Sequence, residues 1–206
     1  MPDTQTKPKI ILASGSPRRK EILSLLKIPF QVVIPPYEEL SDPQTPAENE
    51  VLSFAEGKAR SVAVGLQEGI VIGSDTLIDC EGRKIGKPKN PKDAKAILKN
   101  LQGRVHTIWT AVFIIDVATG QTLRSRKTVE IALHQMTDLE IDDYVSTREP
   151  LDKAGAYAVQ GIGRRFVREL RGDKLAAIGM PLQPIIAFLE RSAVRISAIE
   201  EEIDAF

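Results

Sequence analysis

Apolar residues follow two rhythms along this chain. Short continuous runs at Lys9–Ala13 (KIILA) and Ile70–Ile72 predict buried strands, and Phe30–Ile34 predicts a second strand between them. Lys20–Leu26 carries Ile22, Leu23, Leu25 and Leu26 at helical spacing, with Ser16 as N-cap and Pro17 at the first helical position. Thr45–Leu66 reads as a longer helix whose inner face is Val51, Leu52, Ala55, Ala59, Val62 and Ala63. Gly57 falls inside it and weakens it by about 1 kcal/mol relative to alanine. The segment Tyr37–Pro46 reads as an acidic loop, and Gly73-Ser74-Asp75-Thr76 reads as the end of the strand at Ile70–Ile72.

The second half alternates at the strand period. Leu77–Cys80 and Lys84–Ile85 flank a hairpin turn at Glu81-Gly82-Arg83. Thr107–Val117 and Thr122–Leu133 predict two long strands joined at Thr119-Gly120, and Val167–Leu170 predicts a short one. Helices are expected at Asn90–Leu101, capped by Asn90, at Thr137–Ser146, and from Pro181–Glu190 onward. The whole, residues 1–206, reads as one domain with a polar lead (1–8) and a charged helical tail (about 191–206). Helices alternating with strands, then strands clustering, predict an α/β fold with a mixed sheet.

Composition narrows the function. The chain has 206 residues, with 28 Lys+Arg against 28 Asp+Glu, so its formal net charge is zero. That balance, with 5% aromatic residues, argues against a nucleic-acid-coating surface and against a base-stacking platform. With 42% hydrophobic residues the chain is no acidic disordered protein. One cysteine, Cys80, excludes an intramolecular disulfide, and two scattered histidines, His106 and His134, suggest neither a zinc site nor a Cys–His dyad. The opening MPDTQTKPK is polar and reads as no signal peptide. The apolar stretch near Ala111–Ile115 is far too short to span a membrane. A cytoplasmic protein is the expectation.

Four segments could carry chemistry. Ser14–Arg19 (SGSPRR) joins a strand to a helix, where free backbone N–H groups and Arg18 and Arg19 suit an anion; a plain capped helix explains it equally well. Asp75, expected just past the carboxyl end of a buried strand, could hold a divalent cation or take a proton from water, or simply cap a turn. Lys87, fixed by Pro88, and Lys58, on a small-residue helix, read as site lysines or as surface lysines. Glu149–Gly163 is dense in Gly and Ala and carries Asp152, Lys153 and Gln160, which makes poor core and poor helix but allows close backbone approach to a ligand. The acidic loop with Glu38, Glu39 and Asp42 could ligate metal or stay solvated.

Taken together, ASGSPRRKEIL, GSDT with EGRKIGKP, LQGRVHTIWTAV and EPLDKAGAYAVQGIGRRFV resemble, in this order, the motifs of the Maf family, from about Ile10 to Leu189. Members of that family are nucleoside triphosphate pyrophosphatases first linked to septum formation. The resemblance implies a mixed, twisted central sheet flanked by helices, two lobes with a cleft between them, and a homodimer. It implies cleavage of a nucleoside triphosphate to the monophosphate and pyrophosphate with a divalent cation, Mg²⁺ or Mn²⁺. The alternative it leaves is a nucleotide-binding regulator of division without turnover.

By resemblance, Asp75 is the general base, and Ser14, Arg18 and Arg19 form the phosphate loop. Lys58, Lys87 and Lys153 ring the triphosphate, and Glu39 joins Asp75 at the metal. Arg18, Thr76 and Gln160 match the specificity set of the dTTP/UTP branch, not that of the 7-methyl-GTP branch. Two departures stand near the site: Ser74 where alanine is common, and Gly57 before Lys58 where glutamate is common.

Overall fold

The computed structural model describes residues 8–196. Their strands, β1 (Ile10–Ala13), β2 (Gln31–Val33), β3 (Ile70–Cys80), β4 (Arg83–Ile85), β5 (Val105–Asp116), β6 (Thr122–Leu133) and β7 (Val167–Arg171), form one seven-stranded sheet. Its order is β2-β1-β3-β5-β6-β7, with β4 paired to β3. β1 runs parallel to β2 and β3, and every later pairing is antiparallel, so the sheet is mixed as the sequence predicts. The helices are α1 (Pro17–Ser24), α2 (Ala47–Ala63), α3 (Pro91–Leu101), α4 (Asp138–Ser146), α5 (Lys174–Ile178) and α6 (Gln183–Arg191).

Local chemistry explains most boundaries. Asn90 caps α3 by accepting the Asp93 N–H at 2.9 Å. Thr137 and Glu140 form a reciprocal capping box at α4. The β3–β4 turn is tighter than expected: Cys80 pairs with Arg83, leaving only Glu81 and Gly82 in the turn, both at positive φ. At α1, Pro17 does open the helix, which therefore runs Pro17–Ser24 and not Lys20–Leu26. Ser16 stands at the N-cap position, but its side chain makes no capping bond; its N–H donates to Ser14 Oγ at 3.1 Å. The predicted helical tail is not found within the described residues. α6 ends at Arg191, Ala193 turns at φ 58°, and residues 194–196 are irregular. The rest of that tail and the lead up to residue 7 lie outside the described residues.

The largest correction concerns Asp75. The sequence suggests that the strand stops at Gly73, yet β3 continues through Gly-Ser-Asp-Thr to Cys80. A ladder to β5, from Ile70 opposite Asp116 to Asp79 opposite Thr107, overrides the turn-like composition. Gly73 is required there by α2, because a Cβ on it would press on the Ala55 carbonyl and on Ala59.

Side-chain alternation along β3 divides the core. Val71 packs with Val51, Ala55 and Ala59 of α2 on one face. On the other face, Ile70 and Ile72 join Leu12, Ile22 and Phe188 in one cluster, while Ile78 and Cys80 join Leu98, Ile131 and Tyr144 in a second. Between these two cores the same face carries the small polar residues Ser74 and Thr76. Ser74 Oγ donates to the carbonyls of Ala111 (2.8 Å) and Gly179 (3.0 Å). Thr110 Oγ1 donates to the Ala176 carbonyl (2.8 Å) and lies within hydrogen-bond distance of Thr76 Oγ1 (3.1 Å). The end of α5 is thus docked onto a polar waist between two apolar lobes. The Ser74 hydroxyl thus has a satisfied, buried place.

Candidate active site

The other edge of β3 is where the cleft forms. β1 covers it as far as Gly73 and β4 resumes at Ile78. Among the described residues, 74–77 have a strand partner only on the β5 side. A break of this kind in an α/β sheet is a crevice by construction, and here it lies beyond the carboxyl end of β1. A cleft of about 480 Å³ opens at it, lined by residues from α1, α2, β3, the turn after β4, the segment 149–161 and α5.

Asp75 and Lys58 are the buried centre, at 4% and 7% exposure. Lys58 Nζ lies 2.5 Å from Asp75 Oδ1 and 2.6 Å from Glu39 Oε1, so one ammonium is shared by two carboxylates. Arg19 reaches in from α1, with Nη2 3.7 Å from Asp75 Oδ1 and 3.3 Å from Thr76 Oγ1, and Nε donating to the Gly179 carbonyl at 3.0 Å. Asp75 Oδ2 is buried and has no hydrogen-bond partner. Burial pushes the Asp75 carboxyl above its ordinary range, against the pull of Lys58 and Arg19 and with help from Glu39. Glu39 is half exposed and goes the other way. Burial works against its charge, but Lys58, Lys87 and Arg19 together hold it below the ordinary range.

Glu39 reaches this centre because of Gly57. A Cβ at that position would collide with the Tyr37 ring, so glycine lets Tyr37 lie against α2, where it also meets Phe54 edge-on at 6.4 Å. The residue that sequence propensity marks as a weak point is the seat of the loop that carries Glu39. Further along, Glu50, buried in α2, accepts from Lys84 Nζ (2.7 Å), the Asp42 N–H (2.7 Å) and Ser41 Oγ (2.9 Å). Lys84 Nζ also donates to the carbonyls of Asp42 and Thr45, which ties the loop to the β4 hairpin.

Of the residues singled out by sequence, Arg18, Arg19, Glu39, Lys58, Asp75, Thr76, Lys87, Lys153 and Gln160 all line this cleft. Ser14 does not; it is buried behind the loop and accepts the Ser16 N–H, while Ser16 itself faces the cleft. Arg18 and Lys153 are joined through Asp152, at 3.3 Å and 2.6 Å. The apolar lining comes from Ile78, Ile108, Tyr157 and Ile178.

Sequence reasoning missed Tyr157 and its partner. His106, read there without a role, is buried on β5 and hydrogen-bonded through Nε2 to the Tyr157 hydroxyl at 2.6 Å. Burial lowers its pKa to about 4, so at neutral pH it is uncharged. Glu149 was also missed as a lining residue, and no spacing rule marks it.

A cleft with cationic and apolar linings and a buried carboxylate is equipped to hold a polyanion bearing a flat organic group. Its donor set also bears on a metal. Among the described residues there is no cluster of three or more His, Cys, Asp or Glu side chains that could cage an ion. Two carboxylates, one with an unpartnered oxygen, suit a divalent cation that takes its remaining ligands from water and phosphate, as Mg²⁺ does. None of the described helices is long and apolar enough to cross a membrane.

The pattern of the Maf-like protein family matches residues 9–192. The chain is 40% identical to a dTTP/UTP pyrophosphatase of Bacillus cereus (strain B4264) over 189 residues, 92% of this chain and 98% of that protein. It is 39% identical to the dTTP/UTP pyrophosphatase of Bacillus anthracis over the same coverage. Among solved structures, the Staphylococcus aureus Ham1 protein is similar at 15% identity, with a TM-score of 0.49, over 89% of this chain and 99% of that one.

Proposed function

The chain belongs to the Maf-like protein family, and on that premise we propose that it hydrolyses dTTP and UTP to the monophosphate and pyrophosphate. The observation that carries the reading is the buried, unpartnered Asp75 Oδ2 in a cleft lined by Arg18, Arg19, Lys58, Lys87 and Lys153. In the proposed reaction, Asp75 takes a proton from water as the water oxygen attacks the α-phosphorus. The bond from that phosphorus to the α–β bridging oxygen breaks, and pyrophosphate leaves with the electron pair. A carboxyl raised by burial is a stronger base near neutral pH than an ordinary aspartate. Phosphoryl transfer depends chiefly on positioning and charge neutralisation, and the cationic side chains supply both.

Asp75 and Glu39 would hold a divalent cation, which when bound neutralises phosphate charge. Lys58, lying between those carboxylates, fixes their separation. Arg18, Thr76 and Gln160 select the base, a role for which the donor and acceptor of the Gln160 amide suit a pyrimidine edge. The reading includes a homodimer, as the family resemblance implies, and a cytoplasmic location, as the polar opening of the sequence suggests.

The test is Asp75→Asn. With dTTP or UTP and Mg²⁺ or Mn²⁺, pyrophosphate release should fall about 10²–10⁴-fold while the circular dichroism spectrum is unchanged. Turnover near the wild-type rate would refute the assignment. Nucleotide binding without pyrophosphate release by the wild type would refute the activity itself.

A further inference from the structure

The proposed chemistry makes no use of Glu149, yet its carboxylate holds three donors. Oε1 accepts the Ile162 N–H at 3.0 Å. Oε2 accepts the Gly163 N–H at 2.8 Å and the Tyr144 hydroxyl at 2.7 Å. Tyr144 is fully buried in α4, and its oxygen accepts the Ala158 N–H at 3.1 Å. A phenol and a carboxylate that bond to each other therefore grip the backbone on both sides of Gln160, at Ala158 before it and at Ile162 and Gly163 after it. Gln160 is in extended conformation and belongs to no strand. Burial opposes the charge on Glu149, but Tyr144 and the two backbone N–H groups outweigh it and keep the carboxyl below its ordinary range. At neutral pH it is an anion that only accepts, as three converging donors require.

We propose that Glu149 and Tyr144 are positioning residues that set base selectivity by fixing the segment carrying Gln160. The inference rests on the reading that Gln160 contacts the base. A side chain that discriminates by hydrogen bonding must be held in place, because a displacement of about 1 Å can cost on the order of 10²-fold. The phosphate-binding cations stand on other elements, apart from Lys153, so loss of the clamp should change which nucleotide is accepted more than how fast a bound one reacts.

Tyr144→Phe keeps the ring in the core and removes both bonds of the hydroxyl. For this variant the ratio of kcat/KM for dTTP to that for GTP should fall about tenfold, near the lower end of what a hydrogen bond to a charged carboxylate is worth, chiefly through KM for dTTP. Glu149→Gln should shift the ratio the same way. Gln160→Ala is measured alongside, with the double variant Tyr144→Phe/Gln160→Ala, in which the phenylalanine should cause no further loss of selectivity. If Gln160→Ala alters the ratio but neither clamp variant does, the clamp is refuted and the base-contact reading stands. An unaltered ratio in Gln160→Ala would remove that reading and the clamp with it. A uniform fall of kcat/KM for every nucleotide in Tyr144→Phe would also overturn the clamp, since general loosening of the fold acts in that way.

Discussion

His106 makes stability depend on pH in a window where few other groups titrate. Burial lowers its pKa from 6.5 to about 4, so the folded chain keeps the ring neutral while the unfolded chain protonates it below about 6.5. Below that value the unfolded state binds the extra proton, and stability must fall as pH drops from 6.5 towards 4. Integrating between pH 7 and pH 4.5 gives a loss of about 2 kcal/mol from this residue. Asp75 acts in the opposite sense: its carboxyl is raised by burial, so the folded state gains relative stability as pH falls through that raised value. A difference between two proteins isolates the histidine. Urea unfolding followed by Trp109 fluorescence, at half-unit steps from pH 7.5 to 4.5 for wild type and His106→Gln, should give a steeper decline in the wild type by about 2 kcal/mol over the window. Parallel profiles would refute the reasoning and mean that the ring is protonated in the folded chain.

Two further substitutions probe the frame around the site. Gly73→Ala puts a methyl group against the Ala55 carbonyl and Ala59; a loss of about 1–3 kcal/mol in urea unfolding is expected, and a neutral result would mean that α2 is not held against β3 there. Glu50→Gln breaks the buried pair with Lys84 and should cost about 3 kcal/mol, with faster proteolysis within residues 38–46, whereas an unchanged cleavage rate would show that the loop is held by other contacts.

The site was legible in the sequence wherever local chemistry forces a conformation. Pro17 opens a helix beside two arginines, and Glu149–Gly163 could not be ordinary core or helix, so both segments stand out without a partner in view. The course of the chain through Asp75 was not legible. Gly-Ser-Asp-Thr has the composition of a turn, and only the distant strand β5 makes it a ladder. Gly57 has a similar history: its cost to α2 follows from propensity, but its use follows from Tyr37, which approaches from another element. Ser74 likewise finds its acceptor at Gly179, far along the chain. What escaped the sequence is in each case a contact between segments that no periodicity or capping rule connects.

The unbroken course of β3 and β5 beneath both lobes has a mechanical consequence. Opening the cleft by swinging one lobe away from the other would require bending or unzipping a ladder that is continuous from Ile70 to Asp79. The sheet therefore acts as a beam and not as a hinge, and it keeps Asp75 at a fixed height between the two halves. With the loop 37–46 tied down by Glu50 and Lys84 and the segment 149–163 gripped by Glu149 and Tyr144, the walls of the cleft stand in place on this beam before any ligand arrives.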